Sequence, residues 1–144
     1  MMNGTPDMYN VKWIIENRVI LFQGQGDISI EAIEQAITRL KQMIEMGVAP
    51  IYIVNDGRYI KRHPVKIGVL KDLVSMGDDE KIQLILRVGG DNVTKFLAQI
   101  ITQFTQGKKP VYTKTVEEAM DYLLKLDESL PREYSYEEDT SLSS

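Results

Sequence analysis

The sequence contains no cysteine and only one histidine, His63. The absence of cysteine excludes disulfide bonds, thiolate zinc sites and thiol nucleophiles. With a single histidine, a transition-metal site would need mainly carboxylate ligands, and the sequence has no compact group of them. We therefore expect the protein to use neither a metal nor another cofactor.

Long apolar runs are also lacking. No run approaches the roughly 18 residues that a membrane-spanning helix needs. The segment Met1–Asn10 has no basic region followed by an apolar stretch, which is the pattern of a signal peptide. These features predict a cytoplasmic protein without a membrane span.

The net charge of −4 is concentrated at one end of the chain. Residues 127–144 carry six acids and one base, so the remainder is nearly neutral. A nucleic-acid-binding domain usually has a basic surplus, and we therefore expect no nucleic-acid partner. The length of 144 residues and the hydrophobic content of 43% suit one domain. We expect a flexible segment at 1–7, a domain at 8–128 and a disordered, acidic, serine-rich tail at 129–144. Tyr134 and Tyr136, which belong to this tail, are expected to dock on the domain weakly at most.

The central element is the apolar run Ile51–Val54, followed by a polar loop over residues 55–63. An unbroken apolar run of this length is typical of a strand buried on both faces, as in a parallel sheet. Binding surfaces of open α/β sheets lie outside the carboxyl ends of such strands. The loop after Val54 is therefore the first candidate site.

The rest of the chain predicts the order ββαβαβα followed by a further strand and helix, in an α/β domain. An antiparallel hairpin turns at Asn17, and Gly24–Asp27 ends its second strand. That hairpin leads into a mixed, mostly parallel sheet of about five strands with four helices. The remaining elements are a helix from Ser29 to Gly47, the central strand, a helix from Pro64, a strand within 81–88, a helix after Gly89 and Gly90, a strand at 111–113, and a helix capped by Thr115.

Two segments carry a family resemblance. The strand Val19–Phe22 leads into Gly24-x-x-Asp27, and Thr115–Met120 opens the last helix. Together with the element order, they resemble the STAS domain of anti-sigma factor antagonists and sulfate transporter tails, in particular its uncharacterised bacterial, CRAL-TRIO-like branch. The resemblance covers residues 8–126. It implies the fold and a regulatory role through protein binding.

One difference from that family concerns phosphorylation. The family resemblance implies a phosphorylatable serine or threonine at the start of the second helix, but residues 51–74 contain neither. A phosphorylation switch at that position is therefore not expected.

The candidate ligand- or partner-binding residues lie in the loop after Val54 and at the end of the next strand. Four bases near a helix start favour an anion or an acidic partner, with an ordinary solvated loop as the alternative. His63 precedes a proline and suits a helix cap, a catalytic base or ligand role being the alternative. Arg87 would lie beside the loop in a parallel sheet. The full set is Asn55, Asp56, Arg58, Tyr59, Lys61, Arg62, His63, Lys66, Arg87, Gly89 and Gly90.

Two functions follow from these observations. The first is a non-enzymatic regulatory module that binds a protein partner through this loop and the next helix. The alternative is a carrier or sensor of a small nucleotide, anion or lipid, for which Gly24-Gln25-Gly26 is a weak nucleotide signal because the third glycine of the fingerprint is replaced by Ser29. No nucleophile–base pair is visible, so an enzyme is not expected. A homodimer through the apolar edge strand or the helices is a further expectation.

Overall fold

The computed structural model describes residues 8–62, 80–89 and 111–136. These residues form a five-stranded sheet and two helices. The strands are β1 (Met8–Ile15), β2 (Val19–Asp27), β3 (Ile51–Arg62), β4 (Ile82–Val88) and β5 (Val111–Thr113). The helices are α1 (Ile30–Met46) and α2 (Val116–Leu126).

The sheet follows the chain order β1-β2-β3-β4-β5. β1 and β2 are antiparallel, and β2 to β5 are parallel to one another. Asn17, with φ of 67°, occupies the turn between β1 and β2. This arrangement confirms the predicted hairpin and the mixed, mostly parallel sheet. Of the four helices expected, the structure describes two. The predicted helices after Pro64 and after Gly90 lie outside the described residues.

Both described helices begin where their caps predict. The Oγ of Ser29 accepts a hydrogen bond from the backbone N–H of Ala32 at 3.1 Å, and the Oγ1 of Thr115 accepts one from Glu118 at 3.0 Å. The Glu118 carboxylate accepts from the backbone N–H of Lys114 rather than from that of Thr115. The buried stripe of α1 has helical spacing and consists of Ile33, Ala36, Ile37, Leu40, Met43 and Ile44.

A lysine from outside the helix donates hydrogen bonds to the free backbone oxygens at the carboxyl end of α1. The Nζ of Lys81, just before β4, donates to the backbone oxygens of Ile44 at 3.2 Å and Glu45 at 3.0 Å, with Gly47 at 3.4 Å. The last turn of α1 has no basic residue of its own. Lys81 therefore supplies the positive charge that a helix carboxyl end favours.

The sheet is buried on both faces. On one face, Ile20, Ile51 and Ile53 pack with the stripe of α1, and Trp13 joins them. On the other face, Leu21, Tyr52, Val54 and Leu86 pack with α2. The central run Ile51–Val54 thus contributes to two cores, as its unbroken apolar character predicts.

Residues after α2 also contribute to the second core. Leu130 is buried, and Tyr134 and Tyr136 pack against the same cluster. Asp127 ties this segment to the sheet: its Oδ2 accepts from the Tyr52 hydroxyl at 2.8 Å and from Arg18 Nη2 at 3.0 Å. Packing on this face therefore continues through Tyr136.

Hydrogen bonds to the Asp127 carboxylate, including two from Ser129, shift the pKa values of Asp127 and Tyr52. Hydrogen bonds from Ser129, followed by those of Tyr52 and the charge of Arg18, hold the pKa of Asp127 below its usual range despite opposing desolvation. Burial, reinforced by the bond to Asp127, raises the pKa of Tyr52 to about 12.

Two predicted breaks in the strands are wrong. Residues 55–62 are not a loop, because β3 continues to Arg62 in parallel pairing with β2. Gly24–Asp27 does not end the second strand, because β2 runs through Asp27. A Cβ at Gly24 would lie 2.8 Å from Ile60 Cδ1 and 2.9 Å from Tyr9 Cε1, so this glycine lets its neighbours approach β2 rather than turning the chain.

Candidate functional site

β3 contains a β-bulge between Asp56 and Tyr59, which a hydrogen bond typical of turns produces. Between the pairs Gln23↔Asp56 and Gln25↔Tyr59, β3 has one residue more than β2. The Oδ1 of Asp56 accepts the backbone N–H of Arg58 at 3.0 Å, two residues ahead, as in an Asx turn. The Asp-Gly sequence thus produces a β-bulge, after which the strand resumes.

The bulge turns Arg58 back onto Asp56. Arg58 Nε donates to Asp56 Oδ1 at 3.0 Å, and Nη2 donates to Oδ2 at 2.8 Å. The Nε2 of Gln23 on β2 also donates to Oδ2 at 2.8 Å. The Asp56 side chain is 0% exposed and that of Arg58 is 17% exposed. The carboxylate thus accepts four hydrogen bonds, two from the guanidinium fork, and its charge is compensated.

Tyr59 and Gly89 both lie against the Arg58 side chain. The Cζ of Arg58 lies 4.9 Å from the ring centroid of Tyr59, a cation–π contact. Gly89, directly after β4, has a φ of +62° and lies beside the aliphatic carbons of Arg58. A Cβ at Gly89 would overlap the Cγ of Arg58. Glycine at this position therefore serves both the backbone conformation and the packing of Arg58.

A separate polar row lies on the opposite face of the sheet. Phe22, Asn55, Arg87 and Tyr112 are consecutive register partners on β2 to β5. They share the face on which α1 packs, because Phe22 belongs to its core. Arg87 thus lies beside Asn55, as predicted, but on the face opposite Asp56.

Arg87 has no hydrogen-bonded acceptor for its Nε within the described part of the chain, and this atom is buried. Burial lowers the pKa of the Arg87 guanidinium, while the electrostatic influence of Tyr112 and Tyr9 opposes that effect. Burial also raises the pKa of Tyr9. Among residues 8–62, 80–89 and 111–136, the groups that influence the Arg87 cation electrostatically are thus two phenols.

The predicted site residues thus separate into groups. Asp56, Arg58, Tyr59 and Gly89 meet at the bulge, whereas Asn55 and Arg87 lie on the α1 face. Lys61 is exposed on the last part of β3, and Arg62 ends that strand. His63, Lys66 and Gly90 lie outside the described residues.

The sequence interpretation missed Gln23, Tyr9 and Tyr112. Gln23 directly follows the apolar run Val19–Phe22, and a polar residue in that position signals a buried hydrogen bond. Tyr9 and Tyr112 are ordinary strand residues in the sequence. Their position beside Arg87 depends on the strand order.

Within the described ranges, no group of three or more histidine, cysteine, aspartate or glutamate residues could hold a metal ion. Neither α1 nor α2 is long and apolar enough to cross a membrane.

Comparison with known proteins identifies the fold. No protein-family model and no curated protein matches the chain. Among solved structures, it is similar to an uncharacterized DUF3478 family protein from Shewanella loihica PV-4 with a SpoIIAA-like fold, at 15% identity and a TM-score of 0.58. That match covers 85% of this chain and 99% of the other.

A second similar structure is the anti-sigma factor antagonist SpoIIAA in its unphosphorylated form, at 15% identity and a TM-score of 0.53. It covers 81% of this chain and 96% of that protein. The chain therefore has a SpoIIAA-like, STAS-like α/β fold, as the sequence resemblance predicted. At this identity the likeness concerns the fold.

Proposed function

From the SpoIIAA-like fold, we propose that the protein is a non-enzymatic regulatory module that binds a protein partner through the distal part of β3 and the segment after it. The observation that carries the proposal is a fixed polar projection at the carboxyl end of the sheet. β4 pairs with β3 only as far as Asp56↔Val88, whereas β2 follows β3 to Asp27↔Arg62. Residues 25–27 and 57–62 therefore extend past β4 and are called the distal ribbon here.

The distal ribbon is fixed at its base. The Asp56–Arg58 ion pair and the bond from Gln23 join its two strands where it leaves the rest of the sheet. A surface held in one conformation loses less entropy when a partner binds. Lys61 is exposed on this projection and offers a positive charge to an acidic partner surface.

The same bonds make catalysis by this carboxylate unfavourable. Asp56 is fully buried and its oxygens accept four hydrogen bonds. A general base must reach a substrate proton, and this carboxylate is turned inward. The arrangement therefore supports a structural role for Asp56 in a binding surface.

The proposed regulation does not involve phosphorylation of a serine or threonine after the central strand. Residues 51–74 contain no serine or threonine. The protein partner is instead recognised through the shape and charge of the distal ribbon. It also places the protein in the cytoplasm, so partners are sought in intact cells.

Photocrosslinking tests this proposal. A photoreactive phenylalanine analogue is introduced at Lys61, and a matched control at Lys41, which is exposed on α1. We expect a specific protein adduct from position 61 that is absent from position 41. Equal adducts at both positions, or none at 61, would contradict the proposed surface.

Binding of the identified partner is then measured with purified proteins. Lys61→Glu should weaken the Kd at least about tenfold, the effect of one lost charge contact at an interface. Lys41→Glu makes the same charge change away from the distal ribbon and should leave the Kd unchanged. An unaltered Kd for the Lys61 variant would place the binding surface elsewhere.

A further inference from the structure

Arg87 is a buried cation without a described counter-ion. Its Nε is buried and has no hydrogen-bonded acceptor within residues 8–62, 80–89 and 111–136. The described groups that influence it electrostatically are the phenols of Tyr9 and Tyr112. A buried charge is costly unless it is paired and hydrogen-bonded. The Nε of Arg87 is therefore an uncompensated buried donor among the described residues, at the carboxyl end of β4.

The surroundings of Arg87 include further polar groups. Asn55 and Tyr112 are its register partners on the two neighbouring strands and share its face. An amide and a phenol can each donate a hydrogen bond to an anion. The Tyr112 residue is 46% exposed, so the row reaches solvent at the β5 edge. A small molecule approaching from that edge would meet Tyr112 before Arg87.

The other end of the row is apolar. Beyond Asn55 lies Phe22, whose ring centroid is 4.5 Å from that of Tyr9. Ile60 and Ile85 pack against the same core. The polar row thus adjoins an aromatic and aliphatic surface, which favours a ligand with an apolar part next to its charge.

We propose that Arg87 anchors a binding site for a small molecule with a single carboxylate, on the α1 face of the sheet, with Asn55 and Tyr112 as flanking donors. A guanidinium presents a planar fork that matches a carboxylate. Among the described neighbours Arg87 is the one positive charge, and one negative charge would balance it, whereas a phosphate dianion would leave a surplus. The site lies on the face opposite Asp56 and does not depend on partner binding by the distal ribbon.

The test uses the full chain and three carboxylates, sodium acetate, hexanoate and benzoate, at constant ionic strength. Thermal unfolding and calorimetric titration are measured with each, and with hexanamide and inorganic phosphate as comparisons. We expect at least one carboxylate to raise the Tm by about 5 °C at ten times its Kd. Hexanamide should have no effect, because it lacks the charge. No response to any carboxylate, or an equal response to phosphate, would overturn the proposal.

Variants assign the response to Arg87. Arg87→Met should abolish it, and Arg87→Lys, which keeps the charge but not the fork, should weaken the Kd at least about tenfold. The control Arg39→Gln removes an exposed arginine from α1 and should respond as the wild type does. Retained binding in Arg87→Met would overturn the assignment.

Apo stability provides an independent readout. Without ligand, Arg87→Met should have a Tm equal to or above that of the wild type, because it removes a buried charge whose Nε has no acceptor among the described residues. A large loss of Tm in both the Met and Lys variants would show that Arg87 supports the fold, and would overturn its role as a ligand anchor. None of these results depends on Lys61, so failure here is distinguishable from failure of the partner surface.

Discussion

The substitution Asp56→Asn tests how strongly the bulge holds the end of β3. It keeps the size of the side chain and removes its charge. An asparagine retains one acceptor oxygen, which can still bond the backbone N–H of Arg58. Its NH2 group would replace the oxygen that now accepts from Arg58 Nη2 and from Gln23. The variant therefore leaves a mostly buried guanidinium without its counter-ion.

The expected loss of stability follows from the burial of the Asp56–Arg58 pair. Removing one partner of a buried ion pair destabilises a protein by about 3–5 kcal/mol, because the other charge remains. Since the asparagine oxygen keeps the two bonds from the backbone N–H and the Nε of Arg58, and Arg58 is 17% exposed, we expect a loss of about 3 kcal/mol in the free energy of unfolding. Asp127→Asn is a suitable comparison. Arg18 Nη2 lies 3.0 Å from Asp127 Oδ2, close to the 2.8 Å of the Arg58–Asp56 pair, but both of its side chains are 15% exposed, whereas Asp56 is 0% exposed. That variant should lose about 1 kcal/mol.

Urea unfolding is followed by the fluorescence of Trp13, the only tryptophan, and by circular dichroism. A double-mutant cycle with Arg58→Met isolates the pair. The double variant should recover about half of the loss, because no unpaired charge remains. A loss below about 1 kcal/mol for Asp56→Asn, or a coupling energy near zero, would refute the view that this pair fixes the distal ribbon.

Three further predictions concern other described contacts. Gly89→Ala should cost about 1–3 kcal/mol, from the positive φ and the overlap with Arg58, and its effect should not add to that of Asp56→Asn in a urea denaturation cycle. Lys81→Met should cost about 1 kcal/mol by removing the cap on α1, whereas the exposed control Lys41→Met, away from the last turn of α1, should be nearly neutral in the same assay. The lowered pKa of Asp127 stabilises the fold above the ordinary aspartate pKa of about 4, and this stabilisation is lost as the pH falls through the lower folded-state pKa. Asp127→Asn should therefore flatten the loss of stability as the pH falls below about 4, and parallel acid profiles for the two proteins would contradict this assignment.

Elements with strong periodicity were predictable from the sequence. The stripe of α1 and the caps Ser29 and Thr115 each signal one local structure, and all appear where expected. The two-sided burial of Ile51–Val54 also follows from its composition, since an apolar run has no solvent face. In these cases local chemistry and packing lead to the same result.

The extension of β3 was not predictable by the same reasoning. Asp56-Gly57 is a turn signal, but its turn geometry is used here within a paired strand. Gly24 likewise resembles a break, yet it allows Ile60 to approach β2. Whether such residues reverse the chain or form a bulge depends on a neighbouring strand. The sequence does not encode that neighbour locally.

The predicted site residues lie on two faces of the sheet for a related reason. Asn55 and Asp56 are adjacent in sequence, and a loop would leave both side chains available to one ligand. In a strand, successive side chains point to opposite faces, so these two contribute to different surfaces.

The placement of α2 and Leu130 on the second face has a consequence for synthesis of the chain. The ribosome produces all five strands before α2, and the Tyr52 and Leu86 side of the sheet is covered by residues from 116 onward. Until those residues emerge, the apolar side chains that pack on α2 and Leu130 would lack these partners. The closure of Asp127 onto Arg18 then joins the segment after α2 to the turn of the first hairpin.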